Sequence, residues 1–92
     1  MKIYKYQLVP AIEQKVEIPQ ESEILTIQYQ NGFPTIWAMT YNNQPIVTRI
    51  AKLLMTGEDV EPSAMENYDY VGTLQSPTNH LVLHYFISRE SQ

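Results

Sequence analysis

Apolar and polar residues alternate with period two along most of this chain, the signature of strands with one wet face. In KIYKYQLV, Tyr4, Tyr6 and Leu8 share a face. In IEQKVEIP, Ile12, Val16 and Ile18 oppose Glu13, Lys15 and Glu17, and the two runs are placed to pair across Pro10 and Ala11. ESEILTIQYQ groups Leu25, Ile27 and Tyr29. Asn31-Gly32 then supplies the two left-handed residues that a type I′ hairpin turn requires. The return strand, 33–41, carries Phe33, Trp37, Met39 and Tyr41 on one face and Ile36 and Ala38 on the other. Covered on both sides, it is the expected central strand.

Past the turn at 42–45, PIVTRIAKLLMTGEDV fits two periods. As a helix it would group Ile46, Val47, Ile50, Leu53 and Leu54, turn Arg49 and Lys52 to water, and place Gly57 at the C-cap. As a strand it has a β-branched start but alternates poorly, so periodicity alone leaves 46–57 open. Residues 58–67 form an acidic loop with Glu58, Asp59, Glu61 and Glu66, in which Ser63 and Glu66 have capping-box spacing for a short helical turn near 63–67. YDYVGTLQ is a strand whose Gly72 marks a bulge or a close backbone approach. HLVLHYFI is the last strand. The expectation is an all-β, small single-domain antiparallel sandwich or barrel of six or seven short strands spanning 1–92.

Composition narrows what such a domain does. A chain of 92 residues buries roughly 60–65% of its unfolded surface, and with no cysteine it has no disulfide to compensate. Assembly with copies of itself is the expected remedy, making the chain a homo-oligomer. Ten acids against six bases, net −4, count against binding a nucleic-acid polymer but not against holding a small anion on two or three local cations. The N-terminal run has no signal-peptide pattern and no apolar stretch would span a bilayer, which points to the cytoplasm and no membrane.

Catalysis finds no constellation. The five serines sit in turns and tails without a nucleophile elbow, and neither phosphate-loop motif is present. His80 and His84 on one strand would lie roughly 13 Å apart, too far for one metal ion. The expectation is therefore no enzyme, no metal and no cofactor. Seven tyrosines exceed what a thin core can satisfy, so some must reach the surface, at an oligomer contact or a stacking platform. Arg49 is the one arginine within the folded body. Its fork suits phosphate or carboxylate, and a surface ion pair is the plainer structural alternative.

Taken in order, KIYKY (2–6), QNG (30–32), WA (37–38), TR (48–49), TG (56–57), YVGT (70–73) and LHYF (83–86) resemble a family of short proteins encoded largely by bacteriophages. The resemblance implies an extended stretch ending in Thr-Gly, which favours strand over helix at 46–57. It is similar to phage anti-defence proteins that act as oligomeric sponges for cyclic-nucleotide signals. What it implies is a non-enzymatic inhibitor with bases stacked on aromatics and phosphates held by cations and glycine-freed amides. Trp37, Arg49, Lys52, Gly57, Tyr70 and Gly72 are this chain's candidates for that site. Glu58 after the Thr-Gly pair and the acidic connection 58–69 depart from the family pattern, and a carboxylate there would repel an anion. Two alternatives stand beside the sponge. One is inhibition of a host or defence protein through the acidic surface, and the other is a small virion or assembly component.

Overall fold

The computed structural model describes residues 1–78 and 80–90. Among these residues seven strands build the domain: β1 (Lys2–Gln7), β2 (Glu13–Pro19), β3 (Glu23–Gln30), β4 (Phe33–Thr40), β5 (Ile46–Met55), β6 (Tyr68–Gln75) and β7 (Val82–Ser88). They form two antiparallel sheets, ordered β1-β4-β3 and β2-β5-β7-β6. This is the expected all-β architecture, resolved as a two-sheet sandwich. Its shared core is Leu8, Val16, Ile18, Ile27, Ile36, Ala38, Ala51, Leu53, Leu74, Leu83, Tyr85 and Ile87. β3 and β6 run against each other along one side.

The hairpin turn forms where Asn-Gly predicts it, with φ +53° at Asn31 and +83° at Gly32. β4 is the centre of its sheet, as its two-sided pattern predicts. Residues 46–55 are strand, as the family resemblance favours. Its poor alternation has a specific cause: Arg49 takes an inward position between Val47 and Ala51, so a charge interrupts an otherwise regular apolar face.

Other expectations give way. β1 and β2 do not pair across Pro10 and Ala11: β1 pairs with β4, and β2 with β5 in the opposite sheet. The Gln14 side chain pins the crossover by accepting from the Val9 N–H (3.0 Å) and donating to the Val9 carbonyl (2.7 Å). The physical reason is layering. A hairpin would put Tyr6, Leu8, Val16 and Ile18 on one sheet, whereas the crossover lets them face one another across a core. Ile12 consequently falls outside the core and is exposed. In β3 a bulge between Ile24 and Thr26 turns Leu25 outward and Ile24 inward, breaking the expected Leu25–Ile27 face. Pro62–Met65 is a single 3₁₀ turn capped by Glu61 without a side-chain hydrogen bond, so the Ser63–Glu66 capping box does not form. His80 lies ahead of β7 with φ +57°, leaving only His84 on the strand.

Candidate functional site

One end of the sandwich gathers the start of β3, the first half of β5, the start of β6 and the end of β7. Arg49 extends inward there and is only 7% exposed. Its Nε donates to the Ser88 carbonyl (2.7 Å) and one terminal nitrogen to the Ser22 carbonyl (3.3 Å). No carboxylate lies within ion-pair distance of it among the described residues. Burial pulls the guanidinium below its ordinary value, with Glu90 and then Asp69 opposing the shift, and a group of this basicity stays charged. A guanidinium carries five N–H donors, and two neutral carbonyls leave it with donors and charge to spare.

That residual capacity faces a cleft of about 320 Å³ lined by Ser22, Glu23, Ile24, Arg49, Asp69 and Tyr70, among others. Acids on the rim oppose an entering anion, but their charges are not equivalent. Asp69 is held by Arg89, at 3.0 Å from Nε and 2.9 Å from a terminal nitrogen. Glu90, nearby, accepts the Glu21 N–H. Glu23 remains as the acid on the cleft wall.

Tyr70 lines the cleft and is 60% exposed, with its ring edge-on to Phe86 at 5.6 Å on the outer face of the four-stranded sheet. Its hydroxyl bonds Thr73, which meets His84 Nδ1 at 2.9 Å, and His84 Nε2 meets Thr56 at 2.7 Å. Both ring nitrogens are thus engaged along the outer face of the four-stranded sheet. A neutral imidazole donates through one and accepts through the other, so the chain is satisfied in either sense. Nothing in the sequence pattern marks it, because its members come from two strands and a turn.

The six residues singled out from the sequence do not share one site. Arg49 and Tyr70 line the same cleft. Lys52 lies on the outer face of the four-stranded sheet, 4.5 Å over the Tyr68 ring and donating to the Ala64 carbonyl. Trp37 belongs to β4 in the other sheet, opposite Lys5 and Thr26. Gly57 sits at the far end in the turn after β5, with φ +88°. Gly72 is internal, against Ile27. Glu58, which follows the Thr-Gly pair, acts structurally, its carboxylate accepting the Met55 N–H at 2.9 Å and closing that turn. Arg89, one residue past the end of β7, proves part of the site by pairing with Asp69.

Among the described residues no group of three or more His, Cys, Asp or Glu is placed to hold a metal ion, and no helix is long and apolar enough to cross a membrane. The geometry defines a class: an antiparallel β-sandwich with a buried, incompletely paired arginine at one end. The chain belongs to the family described as domain of unknown function (DUF7352), whose model matches residues 1–92. No curated protein and no solved structure matches it.

Proposed function

We propose that this chain is a non-enzymatic binding protein that holds a small anionic ligand of the nucleotide class in the Arg49–Tyr70 cleft. The observation that carries the reading is Arg49: a guanidinium more than nine-tenths buried, held by two neutral carbonyls and facing open space. Removing such a charge from water is costly, and an anion entering the cleft recovers part of that cost. Tyr70 supplies an exposed aromatic face for a base beside it. In biological terms the phage-protein resemblance supports a role in inhibiting host antiviral defence by sequestering a cyclic-nucleotide signal, as a homo-oligomer in the host cytoplasm. Sequestration needs affinity and abundance, not chemistry.

The test is thermal denaturation against a panel of cyclic mono- and dinucleotides. A ligand at 100 times its Kd adds about 2.7 kcal/mol to native stability, a shift of roughly 10–20 °C for a domain of this size. Arg49→Lys keeps the charge but loses the fork, and is expected to weaken binding at least about tenfold. Tyr70→Ala, at an exposed position, is expected to weaken it without unfolding the protein. A panel that leaves the wild-type melting temperature unmoved removes the reading.

A second reading rests on a different surface. Residues 55–64 are exposed without interruption and place Asp59 and Glu61 around the exposed Val60. An apolar residue flanked by acids suits a basic protein partner, consistent with inhibition by direct protein–protein binding. Under this reading Asp59→Asn with Glu61→Gln abolishes partner capture from infected-cell extract and leaves nucleotide response untouched. Capture that persists in that variant rules the surface out.

A further inference from the structure

Two sheets give this sandwich four edge strands, and three of them are unsuited to pairing with another chain. β3 carries a bulge between Ile24 and Thr26, β6 carries one between Tyr70 and Gly72, and both lie on the side where the sheets meet. β2 alternates Glu13, Lys15 and Glu17 on its exposed face and ends at Pro19. Bulges, charge and proline are the usual devices that keep edges from associating. β1 has neither bulge nor proline, and its charges are two lysines, Lys2 and Lys5, with no acid, so whether it can pair depends on the register that places them. It pairs with β4 in unbroken register from Lys2↔Thr40 to Gln7↔Thr35, and among the described residues no strand occupies its other edge. Five of its six residues are exposed, including Ile3 and Tyr4.

The hydrogen-bonding phase of that free edge follows from one bond. Leu8 N donates to the Pro34 carbonyl, so the even-numbered residues of β1 turn their backbone groups toward β4. Ile3, Lys5 and Gln7 therefore direct N–H and C=O outward. An antiparallel partner must match phase, pairing outward-directed residues with outward-directed residues. For two copies of β1 related by a two-fold axis, two registers overlap by five residues. Centring on Lys5 sets Lys5 against Lys5 of the second copy, with like charges directly opposed. Centring on Tyr4 sets Ile3 against Lys5, Lys2 against Tyr6, and Tyr4 against Tyr4. No lysine then faces a lysine, and each Lys2 ammonium meets an aromatic ring.

We infer that the chain forms a two-fold dimer through β1, in the Tyr4-centred register, joining two three-stranded sheets into one of six strands. Tyr4 supplies the side-chain argument. It belongs to the inward-facing set of β1, yet the second sheet leaves it half exposed, and in this register it stacks on its own copy across the axis. The interface is independent of the ligand cleft: it uses the opposite edge of the three-stranded sheet from β3, whose first residues line that cleft.

Proline scanning separates this edge from any other interface. Ile3→Pro removes an outward N–H and no β1–β4 bond, so it costs the dimer two hydrogen bonds and the monomer none. Sedimentation velocity over a range of concentrations is expected to show a wild-type dimer and a dissociation constant raised about tenfold to a hundredfold in the variant. The native chain has no cysteine, so Tyr4→Cys introduces a unique thiol on the axis. A non-hydrogen-bonded antiparallel pair holds its Cα atoms about 4.5 Å apart, within disulfide reach. Mild oxidation is expected to link Tyr4→Cys chains into dimers faster than Ile3→Cys chains, whose thiols sit off the axis. If Ile3→Pro fails to fold, the cross-linking rates decide alone. A wild-type monomer at every concentration, a dimer indifferent to Ile3→Pro, or Tyr4→Cys chains that link no faster than Ile3→Cys each overturn the inference.

Discussion

Gly72→Val is expected to cost the fold about 3 kcal/mol or more, against about 1–3 kcal/mol for Gly72→Ala. The reason is space and not backbone conformation. A Cβ at residue 72 would stand 2.8 Å from Ile27 Cγ2, across the junction of β6 and β3. Ile27 is buried and β-branched, so it has little rotamer freedom with which to yield. Gly72 follows the one-residue register shift in β6 that leaves Val71 unpaired, and it faces Tyr85 across the ladder. The bulge and the missing side chain together let the two sheets approach. Urea denaturation measures the effect, and a double-mutant cycle assigns it. Ile27→Ala removes the obstructing methyl, so the combination with Gly72→Ala is expected to lose at least about 1 kcal/mol less than the two single losses combined. Additive losses, or a Gly72→Ala protein as stable as wild type, would show that the contact does not govern the approach.

Tyr85→Phe is expected to remove most of the protein's sensitivity to alkali while leaving neutral-pH stability unchanged or slightly raised. Tyr85 has no exposed surface, and its hydroxyl has no hydrogen-bond partner among the described residues. Burial, with a smaller contribution from Tyr29, pushes its phenol up to about 12. An unfolded phenol titrates near 10, so the native state resists ionisation where the unfolded state does not. The associated stability is fully present below about pH 10 and is lost as pH rises through about 12. A gap of about two pH units corresponds to about 3 kcal/mol. Denaturation midpoints at pH 8, 10 and 12 should fall steeply for wild type and much less for Tyr85→Phe. The residual slope belongs partly to Tyr6, whose phenol is also raised by burial and by Tyr4. At pH 8 the variant loses an unpaired polar group and little packing, a change that is nearly neutral or stabilising. A wild-type midpoint that stays flat from pH 10 to 12 would place the Tyr85 hydroxyl in contact with water or a partner.

The two predictions share an origin in the thin core. Seven tyrosines in 92 residues outrun the hydroxyl partners such a core can offer. Tyr4, Tyr41 and Tyr70 meet that excess by reaching into solvent, but Tyr85 is sealed between the sheets with its hydroxyl unmatched among the described residues.

Much of the fold was legible because its signals are local. Alternation marks strands wherever one face is wet, Asn31-Gly32 can hardly avoid a tight hairpin, and Gly72 announced a bulge or a close approach and is both. The candidate site was legible only in part. Arg49 and Tyr70 stand out by residue type and motif position, and the cleft joins them. Trp37, Lys52 and Gly57 stand out on the same grounds and lie on separate surfaces.

The chain's own residues determined strand positions, turn chemistry and the lack of covalent staples, since each depends on neighbours a few positions away. Only the tertiary structure decided that β1 leaves β2 for β4, that a bulge turns Leu25 outward, and that Arg49 enters the core end instead of facing water. Each of those outcomes depends on which apolar face finds an opposing layer across the sandwich. Period-two alternation says that a face is buried but never against what, and a lone arginine in such a face looks like an interruption until the carbonyls of Ser22 and Ser88 close around it.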